Sequence, residues 1–299
     1  MNAEAKPFLK WAGGKGQLLS QLHEHLFVEL FQQEFTYIEP FVGGGAMLFH
    51  MLRVFPNMKK VVINDINPHL ITAYRVIKEQ PFELIKRLAS LEKEYYSLDE
   101  CERKNYYLNI RNFYNETLLD DIERTKYLLF LNRTCFNGLY RVNAEGKFNV
   151  PYGRYVKPTI CNRETIIVDS ELLNRTNVVI LNGDYEQTID YMGKGLNFFY
   201  FDPPYRPLNA TSSFNTYAKE SFNDDEQKRL ANFCKNLNRF SHVKWMLSNA
   251  DCSAMNPDNT FLENIYADFH IHRVVASRAI NANPAKRGKL TELLIKNYE

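Results

Sequence analysis

Apolar positions along this chain follow two periods, and the switch between them outlines the fold. Short apolar runs end in polar or acidic residues: Tyr37-Ile38 before Glu39-Pro40, Val61-Val62-Ile63 before Asn64-Asp65, and Val178 to Leu181 before Asn182-Gly183-Asp184. Asn197 to Phe201 before Asp202, and Lys244 to Asn249, follow the same rule. Each run predicts a strand buried on both faces. Between them apolar residues recur at helical spacing, as in Leu18, Leu19, Leu22, Leu26 and Phe27, and in Leu70, Ile71, Tyr74, Ile77, Leu84, Ile85 and Leu88, with a break near Gln80-Pro81. A further helix is predicted over 224–238, and Phe269 to Ala276 with Glu292 to Lys296 predict a closing pair of strands. Such alternation predicts a doubly wound α/β sheet, built from residues 1–78 and 176–299. Residues 79–175 lose it. They carry helical patterns around 106–114 and 120–131, then Asn137-Gly138 and Glu145-Gly146 turns that predict a short β-ribbon.

The strand ends carry the candidate chemistry. After Phe201 the chain reads Asp202-Pro203-Pro204-Tyr205. Two prolines fix φ and exclude helix, so the backbone leaves the strand as a stiff corner. That corner offers a carboxylate (Asp202), a free carbonyl (Pro203) and an aromatic face (Tyr205). An exocyclic amino group on a flat base needs two acceptors and something to stack on. Upstream, Glu39-Pro40-Phe41-Val42-Gly43-Gly44-Gly45 predicts a strand, a glycine turn and a helix start. Asp65 follows about 20 residues later, where an acid grips a ribose hydroxyl pair. The glycine run lacks the G-x-G-x-x-G spacing, so a nucleoside ligand without a pyrophosphate fits better than a nicotinamide. Asp184, at another strand end, suits an adenine amino group. Near the N-terminus, Phe8-Leu9-Lys10-Trp11-Ala12-Gly13-Gly14-Lys15 is a glycine turn with charge, and its spacing is not that of a P-loop.

Composition narrows the partners. The chain has 299 residues and a net charge of +2, so only the distribution of charge is informative. Between Arg124 and Arg163 the basic residues include Arg133, Arg141, Lys147, Arg154 and Lys157, and Glu145 is the sole acid. Interleaved with Phe136, Tyr140, Phe148, Tyr152 and Tyr155, they predict a nucleic-acid surface. Arg278, Lys286 and Arg287 add charge near the closing strands. The five cysteines form no C-x-x-C pair, which argues against a disulfide scaffold or structural zinc and suits a reducing cytoplasm. No apolar run approaches a membrane span, and no metal site is expected.

The order F-L-K-W-A-G-G-K, E-P-F-V-G-G-G, D-P-P-Y, with N-R-x-x-F-N-G-L-Y-R-V-N…F-N-V-P-Y-G-R before the last, resembles the Dam-type DNA adenine-N6 methyltransferases of the alpha group, from Phe8 to Tyr298. The resemblance implies a Rossmann-like seven-stranded catalytic domain and an inserted, mainly helical DNA-recognition domain with a β-hairpin. It implies S-adenosyl-L-methionine as cofactor, double-stranded DNA as substrate, and GATC as the usual target. Trp11, Lys15, Asp65 and Asp202 would surround the cofactor, completed by Glu39, Pro40, Phe41, Gly43, Gly45, Asp184 and Tyr185. Lys10 would touch the first guanine pair, and Phe136 and Asn137 would enter or support the disturbed duplex. Leu139 and Arg141 would read base edges, with Asn143 on the same ribbon. A cognate restriction endonuclease is a further expected partner. Two alternatives stay open: a related amino-methyltransferase for another DNA site, cytosine N4, RNA or a glutamine amide, and a DNA-binding relative without catalysis.

Overall fold

The computed structural model describes residues 5–206, 222–254, 256–277 and 289–299. Residues 208–217, whose polar sequence predicts a loop, and Arg278, Lys286 and Arg287 lie outside the described residues. Seven strands form one sheet: β1 (Phe35–Glu39), β2 (Met58–Asp65), β3 (Asn177–Asn182), β4 (Leu196–Phe201), β5 (Val243–Ala250), β6 (His270–Ser277) and β7 (Lys289–Lys296). Their order is β3-β2-β1-β4-β5-β7-β6. The pairs β1–β2, β1–β4 and β4–β5 are parallel, whereas β7 runs antiparallel to both β5 and β6. This is the mixed α/β, Rossmann-like architecture expected from the sequence.

By compactness the chain divides into two units, one of Met1–Gly14, Val42–Pro56 and Asn64–Asp184, the other of Lys15–Phe41, Asn57–Ile63 and Tyr185–Glu299. The first is dominated by helices α3 (Ala46–Val54), α4 (Pro68–Glu79), α5 (Pro81–Ser97), α6 (Glu100–Glu116), α7 (Asp121–Thr134) and α8 (Arg163–Arg175). Their starts are written locally. Asn67 caps α4 by accepting from the His69 and Leu70 N–H groups, with Pro68 at the first helical position. Asp99 and Glu102 form a reciprocal capping box on α6. Proline at 81 separates α4 from α5, as the sequence predicts. Helix α4 packs on α7 and α8, and α7 also packs on α5 and α6. After α7 comes a ribbon bridged at Val142–Phe148 and Cys135–Tyr152. Its reversal lies at 143–147, where the Asn143 carboxamide oxygen accepts from the Glu145 and Lys147 N–H groups. Asn137-Gly138 is instead a one-turn 3-10 segment at the foot of the ribbon.

The second unit is built on β4. Phe198, Phe199, Tyr200 and Phe201 are all fully buried. An aromatic run without alternation fits a central parallel strand covered on both faces. Helix α9 (Asp224–Leu237) lays Leu230, Phe233, Cys234 and Leu237 into the same core. At its start Asn223 accepts from Asp225 and Glu226 N–H groups, and three acids in the first turn complement the helix dipole. The helix predicted over Leu18 to Phe27 is shorter than its apolar spacing suggests. Only α1 (Leu19–Glu24) is regular, and the chain then turns through i→i−3 bonds at His25 and Leu26.

Candidate active site

In the second unit, β4 ends at Phe201 and the next residue is Asp202. Lys15 Nζ lies 3.0 Å from Asp202 Oδ1 and 3.6 Å from Glu292 Oε2. Lys15 is only 4% exposed, while each carboxylate keeps 19% exposure. The Tyr205 hydroxyl donates to Glu292 Oε2 at 2.6 Å, and the Lys15 ammonium sits 4.3 Å from the Tyr205 ring centroid. One cation thus bridges two acids and rests against an aromatic face. Burial raises the Asp202 carboxyl to about 6, and Lys15 opposes that rise. Burial likewise raises the Tyr205 phenol well above its usual value, so it remains a donor.

The corner is braced from behind. Gln227 Nε2 donates to the Pro204 carbonyl at 3.0 Å, and Asn249 Nδ2 donates to Gln227 Oε1 at 3.0 Å. Both amides are fully buried, so losing either leaves partners unsatisfied. Arg206 forks onto Asp224 at 2.7 and 3.0 Å, donates to Asn259 at 2.6 Å and lies over the Phe261 ring. Pro203 and Pro204 are therefore held between a strand and two anchored side chains. Tyr200 shares a hydrogen bond with Ser248 one residue pair below, and Tyr37 donates to buried Glu39. Phe41 packs on Tyr185 and Phe222 at centroid distances of 5.1 and 5.7 Å.

The first unit gathers a different set. Asp65 Oδ2 accepts from the Gly43 N–H at 3.1 Å and Oδ1 from the Asn67 N–H at 2.9 Å. Burial raises this carboxyl, and the backbone donors oppose the rise. The Val42 N–H donates to the Asn64 carbonyl, Asn64 Nδ2 to the Gly183 carbonyl, and the Gly183 N–H to the Asp65 carbonyl. Three strand-end loops are thereby tied together, with Asp184 exposed beside Gly183. Gly43 has φ +48°, and a Cβ there would meet Trp11 Cδ1 at 2.9 Å, so both conformation and space call for glycine. The Trp11 indole stacks on Tyr140, with centroids 5.1 Å apart and planes 26° from parallel.

Lys10 is fixed to the foot of the ribbon. Buried Asn132 accepts from the Lys10 N–H at 2.8 Å and donates to the Lys10 and Gly138 carbonyls at 2.9 Å each. Gly138 has φ +65°, and a Cβ there would collide with Lys10 Cδ. Phe136 is 51% exposed, and the Asn137 N–H donates to the Tyr155 hydroxyl. Leu139 and Asn143 are half-buried, whereas Arg141, Arg154 and Lys157 are exposed. The Arg141 guanidinium lies along its own ribbon, donating to Asn149 Oδ1 at 2.7 Å and to the Asn149 carbonyl at 3.1 Å. Arg133 turns inward, donating to the Phe8 carbonyl, and desolvation lowers its pKa. Lys126 also turns inward, pairing with Glu123 at 2.6 Å. The basic count from the sequence therefore exceeds the exposed basic surface.

Sequence reasoning missed Glu292, Gln227, Asn249 and Arg206, and it read Tyr140 only as one aromatic among several. Among the described residues no cluster of acids, histidines and cysteines could hold a metal, and no helix is long and apolar enough to cross a membrane.

Comparison with known proteins gives this arrangement its family. A family model described as D12 class N6 adenine-specific DNA methyltransferase matches residues 11–280. The Type II methyltransferase M.MjaIII of Methanocaldococcus jannaschii is 48% identical over 99% of this chain and 100% of its own length. The Type II methyltransferase M1.LlaDCHI of Lactococcus lactis subsp. cremoris is 39% identical, over 98% of this chain and 95% of its own length. A DNA adenine methylase of Vibrio cholerae is 32% identical, over 97% and 95%. With a buried acid–lysine pair at the end of β4 and a match spanning nearly its whole length, this chain belongs to the D12 class of N6 adenine-specific DNA methyltransferases.

Proposed function

We propose that the protein uses S-adenosylmethionine to methylate N6 of an adenine within GATC in duplex DNA, with the target base rotated out of the stack. The observation that carries this reading is the Asp202 carboxylate at the end of β4, held 3.0 Å from buried Lys15 and followed directly by the Pro203 carbonyl, so that two acceptors suited to an amino group stand side by side along the chain.

The residues of the first unit suit a nucleoside cofactor. The Asp65 oxygens accept from the Gly43 and Asn67 N–H groups, and a carboxylate has further lone pairs for a ribose hydroxyl pair. Trp11, the Gly43–Gly45 turn and Asp184 are proposed to complete cofactor binding in this unit. When bound, S-adenosylmethionine supplies a methyl group on a positively charged sulfur. The rest falls to the chain. Asp202 Oδ1 and the Pro203 carbonyl accept hydrogen bonds from the two N6–H groups, which frees the nitrogen lone pair from the ring and stabilises the positive charge developing on nitrogen. Lys15 keeps Asp202 ionised and aimed. An N6 that has gained a methyl carries one proton too many, and the Asp202 carboxylate, whose pKa is raised to about 6, is able to take it. Tyr205 presents its ring to the flipped adenine, with Glu292 fixing its tilt.

Residues 79–175 are proposed as the target-recognition region. Lys10, Leu139, Arg141 and Asn143 would contact base edges, Phe136 and Asn137 would occupy the disturbed duplex, and Arg133, Arg154 and Lys157 would serve the backbone. The type II names of two relatives support a partner restriction endonuclease. The test is to incubate the protein with duplex DNA and labelled donor, digest to nucleosides, and map the sites. N6-methyladenine confined to GATC supports the reading. Label on cytosine N4, on RNA alone, or at another sequence overturns the corresponding part.

A further inference from the structure

Tyr140 stands between two residues with proposed base-reading roles, Leu139 and Arg141, yet its ring goes elsewhere. It stacks on Trp11 and meets Phe148 edge-on at 5.8 Å, and its hydroxyl lies near the Asn67 side chain. Trp11 is confined in turn. Cβ atoms placed on Gly43 and Gly44 would lie 2.9 and 3.0 Å from Trp11 atoms, so the indole rests directly on the glycine turn. Asn67, for its part, caps α4, and its N–H donates to Asp65. A displacement of the ribbon at residues 139–141 therefore presses on Trp11, the 43–44 turn and the Asp65–Asn67 loop together, because close-packed rings transmit displacement rather than absorb it.

We propose that Tyr140 is a positioning residue that couples target recognition by the ribbon to cofactor binding through Trp11 and Asn67. The inference rests on the proposed roles of the ribbon and of Trp11 and Asp65. Its consequence is thermodynamic: target duplex tightens cofactor binding, and the cofactor tightens target binding by the same factor. The aromatic stack carries most of the effect and the hydroxyl the remainder.

The experiment is a two-ligand cycle with S-adenosylhomocysteine, which binds without turnover, and duplex DNA with or without the target. Titration calorimetry gives the affinities. Emission from Trp11 gives an independent signal, since the other tryptophan, Trp245, is fully buried in the second unit. In the wild type, target duplex should tighten S-adenosylhomocysteine binding about fivefold or more, within the usual span of coupling energies, and scrambled duplex should not. Tyr140→Ala should bring that factor within about twofold of unity while each ligand alone binds within about threefold of wild type. Tyr140→Phe should restore most of the coupling. Tyr140→Leu, which fills more of the space, serves if the alanine variant melts early. A wild-type protein that methylates adenine but shows no coupling overturns the inference, as does an alanine or leucine variant that keeps it. Absence of adenine methylation in the wild type would instead overturn the underlying functional reading.

Discussion

The Asp202 corner and the 136–157 ribbon are built on opposite principles. At the corner, Lys15, Asp202, Tyr205 and Glu292 come from distant parts of the chain and satisfy one another in a site with little solvent. Along the ribbon, Arg141 binds Asn149, Asn143 binds its own turn, and Arg154 and Lys157 face water. Low dielectric makes each corner interaction strong and each loss costly. Exposed, locally bonded side chains are screened and free to exchange partners. The corner therefore suits chemistry that is the same at every turnover, and the ribbon suits contacts that differ with sequence.

The largest expected effect tests the corner alone. Asp202→Ala should lower kcat by about 10²–10³ or more, as loss of a transition-state hydrogen-bond partner does, with DNA binding retained in a gel-shift assay. The acid limb of the pH–rate profile comes next. In the proposed mechanism Asp202 works as the carboxylate, and burial raises its carboxyl to about 6, so activity should be full above that value and fall as pH drops through it. Lys15 holds the pKa down, so Lys15→Gln should move the limb to higher pH, whereas Arg141→Ala should leave it in place.

Tyr205→Ala should cost roughly 1–3 kcal/mol in kcat/KM through lost stacking. Tyr205→Phe keeps the ring but loses its bond to Glu292, and should retain much of the activity. Equal damage by both would transfer the role to the hydroxyl. On the ribbon, Arg141→Ala should cost about 1–3 kcal/mol on the proper site and relax preference at one guanine pair. For this the guanidinium must exchange Asn149 for a guanine edge. Lys157→Ala should give the smallest change, weakening all duplexes alike and flattening the salt dependence by about one unit of slope.

What was legible in the sequence was what is local. Asp-Pro-Pro-Tyr announces a stiff corner, Gly43 and Gly138 mark positive φ, and proline at 81 splits α4 from α5, because neighbours along the chain dictate each feature. The strands were visible because β4 and its partners are buried on both faces. Partners supplied by tertiary packing were not. Glu292 lies 87 residues from Tyr205, and Gln227 lies 22 from Asn249, with nothing in either segment to announce the pairing. The inward turn of Arg133 and Lys126 was hidden for the same reason: a charge count sees side chains but not their direction. One signal was available. Glu292 directly precedes the apolar run Leu293-Leu294-Ile295, and a largely covered acid beside such a run needs a partner.

The measurement closest to the centre of this account compares methylation rates on the target duplex and on each single-base variant, for the wild type, Tyr205→Phe and Arg141→Ala. The account predicts that Tyr205→Phe changes all rates by one common factor, leaving the ratio of target to variant unchanged. It predicts that Arg141→Ala collapses that ratio at one base pair. If Arg141→Ala slows every duplex equally, or Tyr205→Phe alters the ratio, the division between a fixed chemical corner and a sequence-reading ribbon is wrong.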